Sequence, residues 1–192
     1  MPFRPGFMRK GGPPPAWQTS MTLALGTNTS PLFGPNTVRM FVPQSLLTIT
    51  GGSKVRLTLM AGVPFAGGER ALTIGECFLG QAAAVVTAAA PSYASTPNQV
   101  FFGGNPNCVI PISSTLVTDD INIGLPTVNG LILGFSLTDT SGSTIRYAAQ
   151  AASLFTNKAG TQTDAATVIA SGYSVFIGGG NLGTVTKIEV FK

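Results

Sequence analysis

Three glycines near the end of the sequence have the spacing of a dinucleotide-binding loop. The pattern is G-x-G-x-x-G, formed by Gly178, Gly180 and Gly183. Such a loop joins a strand to a helix, whose free amide groups hold the pyrophosphate. Residues 174–177 suit the strand, but residues 184–191 alternate and are rich in β-branched side chains, which predicts a second strand. We interpret the motif as a glycine-rich connection between two strands, in which glycine and Asn181 adopt positive φ.

Acid–base chemistry is restricted by the absence of histidine from the sequence. Ser-His-Asp and Cys-His catalysis, zinc centres with histidine ligands and histidine general bases are all excluded. The carboxylates are Glu69, Glu76, Asp119, Asp120, Asp139, Asp164 and Glu189. We predict that the chain is not an enzyme and has no catalytic residues, cofactor or metal.

Two of these carboxylates, Asp119 and Asp120, are adjacent. Adjacent side chains of a strand point to opposite faces, so the pair is not expected to share a site. Our interpretation is a solvated turn or strand end. The alternative is a weak calcium site in which the two aspartates act together with backbone carbonyls.

The only cysteines are Cys77 and Cys108. Their separation matches no metal-binding motif, and a free buried cysteine packs as a small apolar side chain. They either form one disulfide or remain reduced. Because the first residues lack the apolar segment of a signal peptide, two reduced thiols are favoured.

The composition is poor in charge. Only 9% of the residues are charged, against about 25% in an ordinary soluble domain. Such a surface is common in secreted β modules and in subunits covered by neighbours. The net charge of +4 is too small and too scattered for a nucleic-acid surface, and the apolar run 82–90 is too short to span a membrane. We therefore predict no binding of nucleic acid and no membrane insertion.

Residues 1–18 are predicted to form an extended arm that precedes a β-sandwich domain at 19–192. Proline and glycine in this segment disfavour both helix and sheet. Its apolar side chains are Phe3, Phe7, Met8 and Trp17, and its basic ones are Arg4, Arg9 and Lys10. An arm of this kind becomes ordered only when its own domain or a neighbouring subunit holds it.

The remaining residues read as short strands separated by Gly, Pro, Asn and Ser. The clearest is KVRLTLM at 54–60, which places Val55, Leu57 and Leu59 on one face. The predicted strands are 22–26, 37–42, 45–50, 54–60, 71–80, 99–102, 108–112, 120–123, 130–137, 144–149, 174–177 and 184–191. Residues 81–90 are either a short helix or a strand buried on both sides. The pattern predicts an all-β fold, a jelly-roll-like antiparallel sandwich.

Several blocks occur in an order that is typical of one family. They are TVRMFVPQS, GGSKVRLTL, ALTIGECFLG and QVFFGGNPNCVIPI, followed by the acidic pair and GLILGFSL. Over residues 37–138 the chain resembles the β-jelly-roll accessory domain that precedes the catalytic domain of GDSL-type (SGNH) hydrolases. The resemblance implies a jelly roll that acts as a structural or carbohydrate-binding module. It implies no hydrolase activity, because the Gly-Asp-Ser block is missing.

Two functions follow as hypotheses. The first is a structural or decoration subunit of a large assembly, a bacteriophage virion, in which the arm binds other protein subunits and the chain is oligomeric. Phe3, Phe7 and Trp17 would fill pockets of the neighbour, and Arg4, Arg9 and Lys10 would meet its acidic surface. Alternatively, Trp17 packs on its own sandwich. The second hypothesis is an extracellular module that binds surface polysaccharide through Tyr93, Arg146, Tyr147 and Tyr173.

Overall fold

The fold is built almost entirely from strands. The computed structural model describes residues 14–25, 29–32, 35–62, 70–138, 143–150, 152–159, 164–175 and 181–192. The strands are β1 (Trp17–Thr22), β2 (Thr29–Leu32), β3 (Asn36–Pro43), β4 (Lys54–Met60), β5 (Leu72–Gln81), β6 (Asn98–Gln99), β7 (Cys108–Ile110), β8 (Thr115–Val117), β9 (Gly130–Leu137), β10 (Ser143–Ala149), β11 (Leu154–Ala159), β12 (Ser174–Val175), β13 (Asn181–Gly183) and β14 (Val185–Phe191). One 3₁₀ helix, Gln44–Leu46, follows β3. Among the described residues, no helix has the length and apolar character needed to cross a membrane.

The strands form three antiparallel sheets. The four-stranded sheet has the order β1-β14-β4-β8, and a small sheet has the order β13-β10-β2. The seven-stranded sheet has the order β12-β11-β3-β9-β5-β6, and β7 also pairs with β5. This architecture confirms the predicted all-β antiparallel sandwich.

The main core lies between the four-stranded and seven-stranded sheets. Burial along β4 alternates as predicted, with Val55, Leu57 and Leu59 fully buried. They belong to the same apolar cluster as Val38 and Met40, which β3 directs inward from the seven-stranded sheet. Alternation by two residues thus decides which side of each sheet is apolar.

Strand β9 is buried along its whole length, on both faces. Leu131, Leu133, Phe135 and Leu137 face the main core, while Ile132 belongs to a second, smaller cluster on the outer side. That outer side is covered by residues 82–97 and 164–173, which we call the loop layer. The apolar run GLILGFSL does not alternate because it has protein on both sides.

The loop layer corrects the prediction for residues 81–90. Neither a helix nor a buried strand forms there: β5 ends at Gln81, and the chain continues as irregular loop with an isolated bridge between Ala82 and Tyr93. Alanine-rich sequence has no periodicity of its own, so its conformation follows from the sheet that it covers.

Other strand predictions were wrong in identifiable places. Residues 23–25 are not in a strand, and β1 instead includes Trp17 and Gln18 at the end of the predicted arm. Residues 45–50 form the 3₁₀ helix and a loop, because the amide and hydroxyl of Thr48 both donate to the Ser20 carbonyl. The segment 120–123 contributes only a bridge between Ile121 and Val55. Strands β2, β8, β11 and β13 were not predicted.

Candidate functional site

The predicted arm meets the sandwich at a well-defined root. Ala16 and Lys192 exchange two backbone hydrogen bonds, with N···O distances of 2.9 and 3.2 Å. From there β1 runs along β14, with Trp17 opposite Phe191. The partner-binding residues predicted in residues 1–13, which are Phe3, Arg4, Phe7, Arg9 and Lys10, lie outside the described residues.

Trp17 packs on its own sheet. Its ring lies 5.5 Å from the ring of Phe191, measured between centroids, and the guanidinium carbon of Arg56 lies 4.3 Å from the Trp17 ring centroid. These contacts agree with the alternative in which Trp17 caps its own sandwich. The side chain therefore anchors the root of the arm.

An ion-pair network holds Arg56 over the tryptophan. Arg56 Nε donates to Glu189 Oε2 at 2.9 Å, and Lys187 Nζ donates to Glu189 Oε1 at 2.8 Å. Because the Arg56 hydrogen bond favours the charged carboxylate, it lowers the pKa of Glu189, an effect that burial of the group opposes. Both oxygens of the Glu189 carboxylate thus accept a hydrogen bond on the outer face of the four-stranded sheet.

Alternation in the sequence determines which residues form this outer face. In β4 the residues that alternate with the core are Lys54, Arg56 and Thr58, and β14 places Lys187 and Glu189 opposite them. Lys54 also pairs with Asp120 at 3.3 Å, where both side chains are nearly half exposed. We call the outer side chains Trp17, Lys54, Arg56, Lys187, Glu189 and Phe191 the basic face.

Two of the predicted glycan-binding residues, Tyr93 and Tyr173, are core residues. Their exposed fractions are 2% and 4%, and both rings contact the guanidinium of Arg39, at 4.5 and 5.4 Å from their centroids. Tyr93 Oη donates to the Ala165 carbonyl. Burial raises the pKa of both phenols. Neither ring offers a free face on which a sugar could stack, which corrects the sequence-based assignment.

The other two residues of that prediction, Arg146 and Tyr147, lie elsewhere, on β10. Both are partly exposed, but adjacent strand residues point to opposite faces. Arg146 Nη1 lies 3.5 Å from Met60 Sδ, and Tyr147 pairs with Gly183 across the strands. The structure therefore does not bring the four predicted glycan residues together.

Arg39 is the residue that the sequence analysis missed. It is fully buried in β3, and its guanidinium donates to three carbonyls of the loop layer, those of Pro91, Asp164 and Thr167. A single arginine thereby joins the two loop segments to the sheet. The available signal was an arginine inside the apolar run TVRMFV, where alternation predicts a residue that points away from the core.

The two adjacent aspartates have separate structural roles. Asp119 accepts hydrogen bonds from the amides of Gly103 and Gly104, at 2.9 and 2.7 Å, and Asp120 pairs with Lys54. Both glycines have positive φ, so their amides converge on one carboxylate. No group of three potential metal ligands occurs within the described residues. The pair does not share a site, as predicted.

Both cysteines are free thiols, as favoured by the sequence. Cys77 is fully buried, and burial raises the pKa of its thiol; burial also raises the pKa of Cys108, to about 12. Thiols with raised pKa values are poor nucleophiles, because the reactive form is the thiolate.

A strand and not a helix follows the glycine motif, as predicted, but Asn181–Gly183 of the predicted connection form a strand of their own, β13. β12 precedes it and β14 follows it, although Gly178 and Gly180 lie outside the described residues. Asn181 is in β13 and does not take positive φ. That conformation belongs to Thr184, with φ of 62°, which separates β13 from β14.

Comparisons with known proteins assign no family to this chain. No family model matches the chain, and a search of curated proteins found no match.

Proposed function

We propose that this chain is a non-enzymatic structural subunit of a large assembly, a decoration, tail or fibre component of a bacteriophage virion, which docks through its N-terminal arm. The observation that carries the proposal is the rigid root of the arm. A proline-rich segment with apolar and basic side chains precedes β1 in the sequence, and two hydrogen bonds between Ala16 and Lys192 fix the chain at the start of that strand.

A fixed root reduces the entropy that an arm loses on binding. Trp17 is held between Phe191 and Arg56, so the residues that precede it in the sequence are attached to the sandwich at one fixed position. The ordering of a free chain segment costs about 1 to 2 kcal/mol per residue, and a fixed root reduces the number of residues to which this cost applies. Aromatic anchors such as Phe3 and Phe7 are the side chains that offset such a cost in interfaces.

The charge distribution supports an acidic partner. Three basic residues of the arm precede the root, and Lys54, Arg56, Lys187 and Lys192 lie at the adjoining sheet. Among the described residues, the carboxylates that pair with this group are Glu189 and Asp120. The summed charge of these groups exceeds the net charge of +4 that the whole chain carries, so the remaining residues have a slight excess of acidic groups. Complementary charge would guide the arm toward an acidic protein surface.

The test is incorporation into particles isolated from the native source. The variant that lacks residues 1–13 is compared with the full chain, because truncation after residue 13 leaves β1 intact. We expect the full chain to sediment with the particle in fixed ratio to a major coat or tail protein, and the truncated chain to remain in the supernatant. Full retention of the truncated chain would contradict docking through the arm.

The alternative function, a carbohydrate-binding module, now rests on the partly exposed Tyr147 together with the resemblance to the accessory domain, because Arg146 points to the opposite face of β10. A glycan array separates the two proposals. Specific binding that is lost in Tyr147→Ala, with a chain that does not sediment with particles, would favour the module. Absence of binding at high protein concentration would remove it.

A further inference from the structure

We infer that the outer surface of the loop layer is an interface between two copies of this chain. The inference does not depend on the arm, because the loop layer covers the seven-stranded sheet, on the side of the sandwich opposite the basic face.

The loop layer presents large apolar side chains to solvent. Val86 and Val168 pack inward on the small cluster around Tyr93, while their neighbours Val85 and Ile169 are 75% and 79% exposed. These are the two most exposed large apolar side chains of the described chain. The amides of Ala83 and Ala170, close neighbours of Val85 and Ile169 in the sequence, both donate to Ser92, which brings the two segments together. Exposed apolar side chains that are grouped in this way are characteristic of interfaces.

The surface is also preformed. The two segments are joined by hydrogen bonds from the Tyr93 amide to the Val168 carbonyl and from the Ala170 amide to Ser92 Oγ. Arg39 fixes both segments to β3 from below. Little ordering is therefore needed when a partner binds, which favours affinity.

The charge pattern favours a second copy as the partner. Residues 77–118 and 165–186 contain no charged side chain, so nearly all of the loop layer is neutral. The chain as a whole carries a charge of +4, and copies that approach through their basic faces repel each other. A neutral apolar surface can meet itself around a two-fold axis without like-charge contacts, as the interface of a symmetric dimer requires.

Sedimentation velocity of the full chain over a range of concentrations tests this inference. We expect a reversible dimer whose affinity does not fall between low and high salt, because nearly all of the proposed interface is uncharged and Asp164 is already paired with Lys158 of its own chain. Ile169→Lys should weaken the dimer at least about tenfold, since it places an unpaired charge in an apolar contact. Val85→Lys should act in the same direction.

The matched control is Val117→Lys, at an exposed valine of β8 on the other sheet. It should leave the dimer unchanged, and the thermal unfolding of all three variants should match that of the parent chain. A monomer at every concentration would overturn the inference. So would equal weakening by Val117→Lys, or dissociation by salt, which would assign the association to basic groups. None of these results bears on docking through residues 1–13.

Discussion

Replacement of Arg39 by methionine should release the loop layer from the sandwich. Methionine retains an unbranched stem of similar length but removes the guanidinium that donates to the carbonyls of Pro91, Asp164 and Thr167. The substitution therefore separates the contribution of the hydrogen bonds from that of the packing.

The expected magnitude follows from these contacts. A hydrogen bond to a charged group contributes about 1.5 to 3 kcal/mol, so three contribute roughly 5 to 9 kcal/mol. Burial of the guanidinium opposes this by several kcal/mol. We expect Arg39→Met to lower the free energy of unfolding by about 3 kcal/mol, which for a domain of this size lowers the melting temperature by roughly 10 °C.

The assay combines urea unfolding with hydrogen exchange. In Arg39→Met the amides of Tyr93 and Ala170 should exchange faster, because their partners lie in the opposite loop segment, while amides of β14 keep their protection relative to global unfolding. The control is Lys54→Met, which removes a half-exposed ion pair and should cost about 1 kcal/mol or less.

Two results would refute the reasoning. One is a loss below about 1 kcal/mol in Arg39→Met, which would mean that the three carbonyls find equivalent partners. The other is full stability of Arg39→Lys, because an ammonium group lacks the planar fork that reaches carbonyls in two loop segments.

Three further predictions concern single contacts. Gly134→Ala should cost about 1 to 3 kcal/mol in urea unfolding, because its new methyl group would overlap Tyr93 Oη and lie 2.8 Å from the Ala165 carbonyl oxygen; an unchanged midpoint would contradict the packing of β9 under the loop layer. Asp119→Ala should cost about 1 to 2 kcal/mol, because two glycine amides lose their acceptor, and Asp119→Asn should recover part of that loss. Glu189 has a lowered pKa in the folded state, so its contribution to the free energy of unfolding is complete above the ordinary pKa of about 4.3 and is lost as the pH falls through the folded value. Glu189→Gln should therefore be less stable at neutral pH, and its stability should fall less steeply than that of the parent chain as the pH is lowered. An unchanged acid dependence would argue against the pairing of Glu189 with Arg56.

The bounds and the inward face of a strand could be predicted from the sequence where one side of that strand faces solvent. KVRLTLM alternates because the main core lies on one side of β4 and water on the other, so its bounds and its inward face were predicted correctly. Alternation failed at residues 45–50, since two hydrogen bonds from Thr48 to Ser20 determine that conformation, and both come from a contact distant in sequence.

The functional surfaces were less predictable. WQTSMT has little apolar pattern, so its inclusion in the sheet depends on pairing with β14, which local sequence does not encode. The predicted exposure of Tyr93 and Tyr173 was likewise wrong, because both rings are buried against the guanidinium of Arg39. Alternation along a strand predicts that a side chain points away from the core, but it does not show whether a further layer of protein covers that side chain.

The pairing of β1 with β14 also affects how this chain folds. β14 is the central partner of both β1 and β4, yet in the sequence it follows all the other described strands. Until it returns to them, β1 lacks its neighbour, and the apolar side of β4 lacks part of the sheet that supports it. The four-stranded sheet therefore closes only by a slow, long-range step, and apolar strands stay uncovered until that step is complete.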